Sequence, residues 1–222
     1  MPVMIPMRIF FSKTGVVKYI SHLDTMRTLT RALKRSGLPI WHTQGFNPHL
    51  YSTFSLPIAL GYESICESVD IRLTEPVEHG AVLERLNASL PPGLRAVRAG
   101  EPLMDAATIA WADYEIRLDY PLESIQKQKD KLERFFREPS IEVAKKTKKG
   151  EKTVDLKPLS ALLGLAEEAG TLVLKLRLAS GNTVNINPTL FLKAFSDWSG
   201  AEPERSRIVR TAIYNKDLQL FS

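Results

Sequence analysis

Three of the four histidines of the 222-residue chain, His22, His42 and His49, fall within a short span that also carries Asp24 and a row of cations. A histidine titrates near neutrality, so His22 and His49 qualify as a general acid and base acting on an RNA 2′-hydroxyl without a metal. The same histidines with Asp24 could be offered as metal ligands. Their spacings match no usual zinc pattern, so no metal site is assigned. The cations follow a helical rhythm. Arg27, Arg31, Lys34 and Arg35 stand at i, i+4, i+7 and i+8, which puts them on one helix face, and no carboxylate after Asp24 neutralises them. Such a face is either solvated or matched to phosphates.

From Ser36 to Tyr62 the chain carries no Asp, Glu, Lys or Arg, although a quarter of all its residues are charged. Three prolines, with Gln44, Asn47, His49 and several Ser and Thr, rule out a membrane span in this run. Gly45, Phe46, Asn47, Pro48 and His49 instead form an uncharged ledge after the basic helix. Aromatic faces for base stacking and amides for base edges, set beside cations, are the elements of single-stranded RNA recognition. A turn of Gly, Asn and Pro with Phe46 in the core is the simpler alternative. A second basic cluster, Lys145, Lys146, Lys148 and Lys149, suits a hairpin tip that is solvated, tracks phosphates, or protects a sheet edge.

The elements that must position these residues are read from periodicity. "MRIFFSK" and "VVKYI" predict a broken strand or tight hairpin around Gly15. Ser21 is the predicted N-cap of a helix, with Asp24 returning a bond to the Ser21 amide. Leu23, Met26, Leu29 or Thr30, and Leu33 make its expected buried stripe, and Gly37 and Pro39 end it. "PIWHTQ", "CESVDIRLTE" and "LRAVRAG" read as strands and "HGAVLERLNASL" as a second helix. The resulting order, strand, helix, strand, strand, helix, strand, is that of a ferredoxin-like split βαβ half. From "DYEIRLDY" onward the order recurs, with "PLSALLGLAEEAG" read as an insertion and Asn187-Pro188 opening the last helix. The expectation is an α+β chain of two tandem ferredoxin-like halves with antiparallel sheets, residues 1–105 and 106–222.

Composition bounds the chemistry. The apolar and charged fractions are those of a folded globular protein, and a net charge of +5 favours anionic partners. The N-terminus shows no export signal, and the single Cys66 fits a reducing, cytoplasmic compartment. One thiol cannot hold an iron–sulfur cluster, and no cofactor is expected.

The segments "FSKTGVVKYISHLDTMRTLTRALKRSGLPI", "GFNPHLYSTFSLPIALGYES" and "ESVDIRL" resemble a bacterial family of unknown function. Its members are encoded beside, or fused to, a cobalamin-binding radical-SAM protein. "SHLD" and "GFNPH" are the most specific pieces, and small polar residues are usual where His42 stands. The resemblance implies a radical-SAM partner and a role in RNA or ribosome metabolism. The leading expectation is therefore a non-catalytic accessory protein that binds or presents RNA, either tRNA or rRNA. The alternatives are an RNA-processing or modifying enzyme using His22 and His49, and a subunit that docks the radical-SAM partner without touching RNA.

Overall fold

Alternation of apolar and polar residues in "IPMRIFFSK" builds the first strand, β1 (Ile5–Lys13), whose Met7, Ile9 and Phe11 are buried on one side. The computed structural model describes residues 4–147, 150–181 and 183–222. The chain is α+β, with four α-helices among the described residues, and divides into two compact units, residues 1–108 with 221–222, and residues 109–220.

In the first unit β1 is followed by α1 (His22–Arg35), β2 (Ser52–Phe54), β3 (Glu63–Leu73), α2 (His79–Asn87) and β4 (Leu94–Gly100). All pairings are antiparallel: β4 and β3 flank β1, and β2 pairs with β3. Met7, Ile9, Phe11, Val69, Ile71 and Leu73 share one cluster with Leu29 and Leu33 of α1 and Val82 and Leu86 of α2. Both helices therefore cover the same sheet face. Arg8, on the opposite face, forks onto Asp70 with bonds of 2.7 and 2.8 Å, and donates to the carbonyls of Met104 and Ser222 beneath the Phe221 ring.

Two expectations are corrected here. "VVKYI" is not a strand: Gly15–Tyr19 is a 3-10 turn, with Gly15 at φ +67°, because the chain must reverse from β1 into α1 within a few residues. "PIWHTQ" is not a strand either. It makes only isolated bridges, Ile40 to Leu73 and His42 to Leu50, and the short edge strand β2 comes later.

The second unit runs β5 (Ile109–Asp119), α3 (Ile125–Arg137), β6 (Glu142–Thr147), β7 (Gly150–Asp155), β8 (Ser160–Glu168), β9 (Thr171–Ala179), α4 (Pro188–Ser199) and β10 (Arg205–Asn215). Its sheet has the order β10-β5-β9-β8, again antiparallel. The segment read as an insertion, "PLSALLGLAEEAG", contains the sheet strand β8. The extra piece is instead the β6–β7 hairpin, which forms a sheet of its own. Asn187 caps α4 by accepting from the Thr189 amide at 2.9 Å, with Pro188 first in the helix and Gly200 left-handed after it.

Candidate nucleic-acid interface

The site begins with the N-terminus of α1. The Ser21 hydroxyl oxygen accepts from the Asp24 amide at 3.1 Å, while the hydroxyl itself donates to the Asp24 carboxylate at 2.7 Å. This differs from the expected capping box. The carboxylate takes the Ser21 hydroxyl, which leaves it solvent-facing and 3.5 Å from Arg27, an exposed pair of little energetic weight.

The buried side of α1 is Thr25, Leu29, Ala32 and Leu33. Leu23, placed in the core from its spacing, is 53 % exposed, and Met26 is half-buried. The helix is rotated about its axis relative to the expectation. That rotation puts Leu23 and Met26 on the wall of an open groove of about 430 Å³, together with Arg27, Thr30, Arg31, Lys34, His49, Leu50 and Ser52. Three cations thus overhang an apolar floor. Arg35 points elsewhere, its guanidinium donating to the Ser89 carbonyl at 2.8 Å, so it belongs to the contact with the end of α2.

The far side of the groove is built by residues 41–51, a strap whose two legs pair. The Thr43 amide donates to the His49 carbonyl at 2.8 Å, and the Tyr51 amide donates to the Trp41 carbonyl at 3.1 Å. Arg72 braces the base of the strap, lying 4.4 Å from the Tyr51 ring centroid and 5.6 Å from that of Trp41. Gly45, at φ +127°, turns the tip where a side chain would be strained. Gly45, Phe46, Asn47 and Pro48 are all exposed there, so Phe46 is not a core residue.

His49 is oriented by its own loop. Its Nδ1 lies 3.1 Å from the Asn47 carbonyl and 3.0 Å from the Thr43 hydroxyl, and its amide donates to that hydroxyl oxygen at 3.1 Å. A carbonyl only accepts, so an Nδ1–H donated to Asn47 leaves Nε2 as the acceptor. His22 sits half-buried with its ring edge-on to Phe54 at 5.6 Å, and does not line the groove that His49 lines. His42 is exposed, its Nδ1 3.1 Å from the Ile40 carbonyl. Among the described residues no group of three or more His, Cys, Asp or Glu is placed to hold a metal ion.

Lys145 and Lys146 lie on β6, and Lys148 and Lys149 fall outside the described residues. No described helix is long and apolar enough to cross a membrane. The groove residues not foreseen from sequence are Leu23, Met26, Thr30, Leu50 and Ser52. The first three recur at i, i+3 and i+7, a signal present in the sequence but assigned to the core.

The model of a family described as uncharacterized proteins conserved in bacteria (DUF2344) matches residues 7–188. No curated protein matches the chain.

Proposed function

We propose, for a chain that belongs to this family of uncharacterized bacterial proteins, a non-catalytic role in binding or presenting RNA. The observation that carries the reading is the groove in which Arg27, Arg31 and Lys34 face His49 over Leu23, Met26 and Leu50. Phosphates suit the three cations, a base suits the apolar floor, and Phe46 at the strap tip offers an exposed ring for stacking. A groove of this size takes a nucleotide or two of single strand rather than a duplex.

The finer picture is a cytoplasmic protein of two tandem ferredoxin-like halves serving a radical-SAM enzyme. The strand order within each unit supports the architecture, and the resemblance of the "SHLD" and "GFNPH" segments supports the partnership. A single cysteine leaves any iron–sulfur cluster to that partner, with this chain supplying charge and shape.

The test is binding to tRNA and to rRNA fragments across a salt series. Arg27→Ala, Arg31→Ala, Lys34→Ala together remove three phosphate contacts, which lowers the slope of log affinity against log salt by about 2. Affinity that is absent at low salt, or unchanged in the triple variant, overturns the reading.

A further inference from the structure

The second unit carries a groove of opposite character. Between α4 and β6 lies a cavity of about 410 Å³, floored by Phe135, Leu190, Ala194 and Trp198 and walled by residues 141–144. We propose that this groove docks an extended basic peptide from a partner protein, which adds as a strand to the open edge of β6.

Three observations converge on that occupant. First, residues 140–144 line the cavity without a gap, the last three of them in β6, whereas a strand turns alternate side chains to opposite faces; a run of neighbours along the strand points to its edge. Among the described residues β6 pairs with β7 and with no other strand, so its other edge offers amides and carbonyls to a strand added from outside.

Second, the floor is aromatic and incompletely covered. Phe135 packs against Phe191, Phe195 and Trp198 at centroid distances of 5.5 to 5.6 Å, yet Trp198 remains 43 % exposed at the rim. An indole held by its neighbours with one side open is a rigid anchor for an apolar side chain.

Third, the charge selects. Glu138, Glu142 and Asp197 stand at the groove against Lys193. Lys193 is already closed onto Asp197 at 2.8 and 3.0 Å, which leaves two carboxylates without an ion pair among the described residues. In a chain of net charge +5 this is an acidic rim, complementary to Lys or Arg and repellent to phosphate.

The proposal stands on the second unit alone and is independent of the RNA reading. The probe is a short labelled peptide alternating Lys or Arg with Val or Phe. Two controls accompany it: the same peptide with Asp and Glu in place of the cations, and the basic peptide N-methylated at alternate amides so that it cannot join a ladder. Fluorescence anisotropy on the full chain is expected to show binding of the basic peptide only. Glu138→Gln with Glu142→Gln is expected to weaken it about tenfold while circular dichroism and RNA affinity stay unchanged. Amide exchange at residues 142–144 is expected to slow in the complex. Absence of binding by the basic peptide, equal binding of either control, or protection confined to other segments overturns the proposal.

Discussion

Arg8 is only 1 % exposed, and its charge is tolerated because every face of the guanidinium is answered: a carboxylate fork, two carbonyls and an aromatic ring. Removing the fork strands a buried cation. Asp70→Ala is expected to cost about 3 kcal/mol, read from the urea midpoint, with the carbonyl bonds keeping the loss at the lower end of the range for broken buried pairs. In the second unit Arg177 forks onto Asp113 at 2.7 and 2.9 Å, beneath Tyr214, and that carboxylate raises the Arg177 pKa. Tyr120 is the opposite case. Its hydroxyl is buried with no hydrogen-bond partner among the described residues, and burial pushes its pKa up to about 12. Because the folded pKa lies above the unfolded value of about 10, the unfolded state releases its proton first, and stability falls as pH rises from about 10 to about 12. Tyr120→Phe is expected to remove that alkaline loss and to gain about 1 kcal/mol at neutral pH, measured by urea unfolding at both ends of the window.

At the level of elements, the turn from β1 into α1 depends on a close backbone approach. Gly93, at φ +91°, accepts from the Thr14 amide at 2.9 Å, and a Cβ there would lie 2.7 Å from the Thr14 carbonyl oxygen and 2.8 Å from a Val17 methyl. Gly93→Ala is expected to destabilise the first unit by about 2 kcal/mol in thermal unfolding, through strain at the left-handed position. The β6–β7 hairpin is fastened at its base by Asp155, whose carboxylate accepts from the Ile141 and Lys157 amides. Those two bonds, Ile141 first, hold its pKa below the ordinary carboxylate value. A depressed folded pKa means that the stabilisation is complete above the unfolded pKa and is lost as pH falls through the folded one. Asp155→Ala is expected to speed amide exchange at Ile141 and Lys157 relative to the sheet strands at neutral pH. α1 shows how far an element is legible: its start at Ser21, its end near Gly37 and its basic face follow from residue types. Its rotation does not, because Leu23 and Met26 satisfy the same spacing as the residues that were buried instead.

For the whole molecule, charge is distributed rather than merely positive. A basic groove lies in one unit and an acidic-rimmed one in the other, although the net charge is only +5. Raising salt fourfold is expected to weaken RNA binding roughly 20-fold or more if three phosphates are held in the first groove, while leaving thermal unfolding nearly unchanged. Paired titrations of RNA binding and melting temperature across the same salt series check this. The sequence by itself determined the α+β class, the helix caps at Ser21 and Asn187, most strand positions, and the cations of α1. These rest on local chemistry: period-two alternation, side chains that satisfy orphan amides, and residues too polar to bury. Only the tertiary structure decided that Arg35 leaves the groove for Ser89, that Leu23 and Met26 wall it, that "SALLGLAEE" is a sheet strand, and that β6 and β7 form a sheet of their own. Each of those depends on which neighbour reaches a side chain or strand first, a question of long-range packing that spacing along the chain does not encode.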